Sequence, residues 1–153
     1  MAIEAPVSKY KKSNFRIYII VCLGLAVWFA YDGYFNKKFI NDHVDADGKP
    51  NPTLVFNRHS PYYLGGVALV LIAYFWAIKD RKIVADENEL RIGGGDTIKY
   101  DAIESIDKTR FAAKGYFVIA YKDERGRPAH KELNDRNWDH LAAVLDHLVA
   151  KIS

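Results

Sequence analysis

Cysteine is almost absent: Cys22 stands alone, so the chain can form no intrachain disulfide and no cysteine-based metal site. Charge is absent from two stretches, Ile17 to Tyr31 and Tyr62 to Ile78, which hold no Asp, Glu, Lys, Arg or His. That removes a haem ligand, a proton relay or an ion-coupling residue from both. The net charge of +3 is too small to suggest a nucleic-acid partner. Gly93-Gly94-Gly95 is not followed by Gly-Lys-Ser/Thr and precedes a strand pattern, so it reads as a turn and not a phosphate loop. His130, His140 and His147 have no serine or cysteine beside them in a nucleophile motif and read as surface or partly packed histidines. No catalytic, cofactor-binding or metal-ligating residue is expected, and nothing in the chain reads as an enzyme.

What is present is oil, in two blocks. Each uncharged stretch holds eight Ile, Leu, Val or Phe residues, worth about −2.4 to −4.8 kcal/mol of bilayer insertion. A single central charge would cost about 2.5 to 3.5 kcal/mol and nearly cancel this, so Asp32 must lie near an interface. Ile17 to Tyr31 alone makes a helix of roughly 22 Å; with its aromatic flanks, Phe15 to Phe35, it reaches roughly 31 Å and can cross. Neither block carries the polar stripe of a helix buried on one side of a soluble protein. The expected spans are 15–35 and 62–79. A cleaved signal peptide is the competing reading of the first block, but it lacks an A-x-A exit and runs into Trp28, Phe29 and Tyr31, which favours an uncleaved anchor.

Direction follows from the bases. Lys9, Lys11, Lys12 and Arg16 precede the first span and Lys79, Arg81 and Lys82 follow the second, whereas the connecting segment balances four bases with four aspartates. Both termini are therefore expected in the cytoplasm. The expected layout is a basic N-terminal tail over 1–14 and an extracytoplasmic loop over 36–61. In that loop Asp42 to Gly48 alternates carboxylates before a glycine, but a calcium register would place His43 first and Leu54 twelfth, removing two essential ligands. Pro50-Asn51-Pro52 reads as turn chemistry and Thr53 to Phe56 as a short strand. Gly24 and Ala26 in the first span, and Gly65 and Gly66 in the second, are candidate helix-packing positions, although glycine is also simply common in membrane helices.

From Lys82 the period shortens to that of strands separated by turns. Ile83 to Ala85 and Glu89 to Ile92 read as a hairpin, followed by strands over Thr97 to Tyr100, Ile103 to Lys108, Tyr116 to Tyr121 and Ala129 to Leu133. Asn134 or Asp135 is expected to cap a closing helix whose apolar stripe is Trp138, Leu141, Leu145, Leu148 and Ile152.

The run from Thr97 to Asp107, after a hairpin carrying Glu89-Leu90-Arg91-Ile92 and before further strands and one helix, resembles the bacterial membrane-associated pleckstrin-homology-like domains, which commonly stand behind a pair of membrane helices. The resemblance implies an α+β membrane protein: two transmembrane helices, then a small antiparallel barrel or sheet over 82–153 closed by a C-terminal helix. About seventy residues is short for the fold, so a strand is expected to be missing or the barrel partly open. In lipid-binding relatives, basic residues of the first hairpin loop grip phosphoinositide headgroups. Here that loop carries Asp86, Glu87 and Glu89, which would repel them. Lys108, Arg110 and Lys114 form a second basic group, either a contact for anionic lipid headgroups or a solvated loop face.

Together these readings make the chain a non-catalytic scaffold or accessory subunit of a larger membrane complex, at the bacterial inner membrane. Its expected partners are the lipid bilayer and another integral membrane protein, with self-association as a further outcome and no cofactor. The alternative is a lipid-responsive module that binds anionic inner-leaflet headgroups.

Overall fold

The computed structural model describes residues 1–153, folded as two units: 13–76, and the two flanking segments 1–12 and 77–153 together.

The second of these is built from strands. β1 (Ile3–Pro6), β2 (Lys82–Ala85), β3 (Glu89–Ile92) and β4 (Asp96–Lys99) form one antiparallel sheet in that order. After a 3-10 turn over Tyr100–Ala102, β5 (Ile103–Asp107), β6 (Tyr116–Lys122) and β7 (Pro128–Asn134) form a second. The short helix α4 (Phe111–Lys114) joins β5 to β6, and α5 (Leu141–Ile152) closes the unit.

Strand β1 corrects the expected tail over 1–14. Ile3↔Ala85, Ala5↔Ile83 and Pro6↔Lys82 pair it with β2. The alternation of Ile3, Ala5 and Val7 drives this: Ala5 and Val7 are buried and Glu4 is exposed. Pro6 is tolerated because β1 is an edge strand, where a missing N–H leaves no ladder bond unmade. The unit therefore has seven strands, one supplied from before the apolar helices. The barrel does not close. Between β4 and the β6–β7 turn no ladder forms, leaving a groove of about 570 Å³ lined by Thr97, Ile98 and Tyr121 among others. The Lys131 ammonium, 2.5 Å from Asp96 Oδ2, spans from β7 to β4.

Core residues come from both sheets and the helix: Ile83, Leu90 and Ile98, then Phe117, Ile119 and Leu133, then Leu141, Val144, Leu145 and Leu148. The closing helix starts later than expected. Asn134 Oδ1 does accept from the N–H three residues on, at Asn137, but the turn it caps ends there, and α5 begins only after His140. Trp138 packs on the core from this turn, and Ile152 is exposed.

The other unit holds α1 (Lys9–Ala30), which begins within the strand unit, a π-helical turn (Tyr31–Phe35), α2 (Lys37–Asp42) and α3 (Pro52–Ile78). α1 with its π-helical turn, and α3, are each 27 residues long and apolar enough to cross a membrane. They lie antiparallel, with Phe15 against Tyr74 (5.2 Å between ring centroids) and Phe29 against Phe56 (5.5 Å). None of the apolar window of α1 is buried within the molecule, and only 11 % of that of α3.

Sixteen of the 26 residues of the expected loop 36–61 are helical. The strand expected at Thr53 to Phe56 is the first turn of α3, because Asn51 Oδ1 accepts from Leu54 N at 3.0 Å and Pro52 occupies the first helical position, where its missing N–H costs nothing. Asn36 caps α2 in the same way. Asp32 sits past the end of α1, where its two oxygens accept from Trp28 Nε1 (3.0 Å) and Asn36 Nδ2 (2.9 Å).

Candidate functional site

Of the four helix-packing candidates, only Ala26 lies on the inward row of α1, with Ile19, Cys22, Phe29 and Ala30. Gly24 and Gly66 are exposed, and a Cβ added at Gly24, Gly65 or Gly66 would meet nothing within 4 Å. The close approach is made by Gly33 instead, where a Cβ would stand 3.1 Å from the backbone of Asn57 and Arg58. Gly33 follows Asp32, outside the uncharged block, and is inconspicuous in the sequence for that reason. The spacing Cys22, Ala26, Ala30, Gly33 is the signal that marks it: small residues recurring at four, four and three place one narrow stripe along a helix. Arg58 locks this end, its Nε donating to Gly33 O at 2.9 Å while Tyr34 Oη donates to Arg58 O at 3.0 Å.

The strand unit has two unlike ends. At one, the chain leaves into α1 and returns from α3. Val7 N donates to Arg81 O (3.0 Å), Ser8 N to Asn137 O (2.8 Å), Lys9 N to Asp139 Oδ2 (3.1 Å) and Asp139 N to Pro6 O (2.9 Å). The Ser8 hydroxyl, in a fully buried residue, donates to Arg136 O. Three segments distant in sequence thus meet around Ser8. A fourth joins them, since Asp135 N donates to Gly115 O at 2.8 Å and brings in the α4 loop. Gly115 is required there: its φ is +72°, and a Cβ would collide with the Asp135 carboxylate. Strand direction agrees, for β3, β5 and β7 end on this side while β4 and β6 begin here.

Lys108, Arg110 and Lys114, singled out in the sequence, all sit on this end and are exposed. Around them stand Arg136 and the bases at the two helix junctions: Lys9, Lys11 and Lys12 on one side, Lys79, Arg81 and Lys82 on the other. The segments 7–12, 79–82, 107–116 and 134–140 hold ten Lys and Arg against four aspartates. Three of those aspartates have local work: Asp107 accepts from the hydroxyl and N–H of Thr109, which hold its carboxyl below the usual range, Asp80 pairs with Lys79, and Asp139 takes the Lys9 N–H. The three bases at 108–114 are visible in the sequence but the company they keep is not, because strand pairing alone brings the four segments together.

Comparison with protein-family models, with curated proteins and with solved structures finds no match for this chain. Its reading therefore rests on geometry.

The opposite end has no excess of bases. Turns 86–88, 100–102 and 123–127 hold five Asp and Glu against two arginines, and Lys151 and the Met1 amino group lie beside Glu87. Glu87 is held down to about 2 by the Lys151 ammonium at 2.5 Å, and then by the Met1 amino group at 3.0 Å. Tyr100 is pushed up to about 12, first by burial and then by Asp86, Glu87 and Glu89. Asp123 is held below its usual range, chiefly by the Arg127 N–H. His147 Nε2 lies 3.0 Å from Asp86 O. No three His, Cys, Asp or Glu side chains gather where they could share a metal ion.

Proposed function

We propose that this chain is a non-catalytic, membrane-anchored scaffold or accessory subunit: α1 and α3 cross a bilayer as a hairpin, dock laterally on another integral membrane protein, and hold a pleckstrin-homology-like domain at the cytoplasmic face of a bacterial inner membrane. The observation that carries it is the exposure of the hairpin. Val27, Leu69, Val70 and Trp76 are each about two-thirds exposed. An apolar surface of this extent on two helices 27 residues long exceeds anything a soluble monomer leaves to water. Lipid, or a neighbour within lipid, is the solvent it fits.

The return of both hairpin ends to one domain supports an even number of crossings, since β1 and β2 flank the hairpin in sequence and pair within one sheet. Arrangement of seven strands as four and three with a helix at the C-terminus supports the pleckstrin-like reading, and β1 supplies the strand that 82–153 alone lacks. Lys and Arg at both helix junctions support the cytoplasmic placement.

Photo-crosslinkers placed at Val27 and Val70, with the chain in its native membrane, test the reading. A single stoichiometric adduct with an integral membrane protein is expected. For orientation, an impermeant thiol reagent on intact cells should label Asp47→Cys but not Ala150→Cys, both in a Cys22→Ser background. A chain that is monodisperse in buffer without detergent, or labelling reversed between the two sites, would overturn the proposal.

A further inference from the structure

We infer that the basic end of the strand unit is a docking surface for anionic phospholipid headgroups, assembled by the fold from four segments and not confined to the flanks of the membrane helices. The inference rests on the membrane reading above.

Charge and placement together select lipid as the occupant. Bases next to a membrane helix are ordinary, and those at Lys9–Lys12 and Lys79–Lys82 alone would require nothing further. Lys108, Arg110, Lys114 and Arg136 are different: they are remote in sequence from both helices, yet the Ser8–Arg136 and Asp135–Gly115 hydrogen bonds put them on the same end as the helix junctions. If the hairpin spans, this is the end through which the chain enters and leaves the bilayer. The turns at the other end of the strands, which are four to seven residues long, carry no such excess of bases. A domain with this polarity is oriented by the field of the inner leaflet, and the attraction decays within a Debye length, about 10 Å at moderate salt. The α4 loop also offers shape: Ala112 and Ala113 are exposed between Arg110 and Lys114, so little bulk separates the two bases from a surface.

The test uses the full chain in nanodiscs, with an environment-sensitive fluorophore at Ala112→Cys in a Cys22→Ser background. In discs of phosphatidylcholine mixed with phosphatidylglycerol, the emission should shift to the blue, and added salt should reverse the shift. Discs of phosphatidylcholine alone should give no shift. Lys108→Gln with Lys114→Gln should weaken the docking equilibrium about 25-fold, near fivefold per charge removed at a surface; Arg125→Gln, on the opposite end, should leave it unchanged. Equal spectra in both discs, with the chain co-eluting with the disc, overturn the inference and spare the membrane reading. Failure of the chain to enter either disc overturns both. A shift of the same size when inorganic phosphate is added to the detergent-solubilised chain also overturns it, in favour of a soluble anion.

Discussion

Glu87 shows how one exposed side chain can join distant parts of the chain. It accepts from Lys151, near the end of α5, and from the Met1 amino group, before β1, so a single carboxylate ties both ends of the chain to the β2–β3 turn. Because the folded protein holds this group at about 2 against an ordinary 4.5, its contribution is complete above 4.5 and is lost as pH falls toward 2. All the partners are exposed, so the contribution is small and shrinks with salt. Thermal unfolding of the detergent-solubilised chain should show the native protein more stable than Glu87→Gln at neutral pH and low salt, with the two converging between pH 4.5 and 2. A gap that persists at the acid end of that window would assign the effect to packing instead. Gly33 and Gly115 make the complementary point: what matters at each is the atom a side chain would strike, and Gly24, Gly65 and Gly66, more conspicuous in the sequence, strike nothing.

Among elements, α3 and β1 carry the lessons. α3 extends ten residues before Tyr62, the start of its uncharged stretch, because Asn51 and Pro52 form a helix start. Asn51→Ala should cost about 1 kcal/mol and fray the first turn, seen as faster amide exchange at Leu54 with the rest of α3 unchanged. Pro-Asn-Pro announces a turn and a cap with the same letters, and only the residues downstream of Pro52 decide between them. Asn134 is the reverse case, a cap in geometry with no helix behind it, because Asn137 and Asp139 are bonded to Ser8 and Pro6. The strands from Lys82 onward were legible to within a residue or two, since each alternates or is bounded by Gly, Pro or Asp. β1 was not: the alternation of Ile3, Ala5 and Val7 is too short to mark a strand by itself, and the β2 edge is what fixes it.

For the whole molecule, β1 makes the strand unit depend on chain from both sides of the hairpin. Residues 82–153 alone should fold poorly and aggregate through the uncovered β2 edge. Replacing 13–76 by a flexible Gly/Ser linker should restore a soluble, cooperatively unfolding domain, because β1 and β2 then pair again. Size-exclusion profiles and urea unfolding of the two proteins check this. A monomeric, cooperatively folded 82–153 would show that β1 is dispensable.

Sequence by itself determined the two oily stretches, the strand run after them and the closing amphipathic helix, since hydrophobic period and the absence of charge are local properties that act over a few residues. Tertiary structure alone decided that the N-terminus is a strand, that the sheets stay open between β4 and the β6–β7 turn, and that Lys108, Arg110, Lys114 and Arg136 share an end with both helix junctions. Those outcomes depend on which edges and turns become neighbours once strands pair, and pairing across the long stretch of chain between Pro6 and Lys82 leaves no trace in either segment read alone.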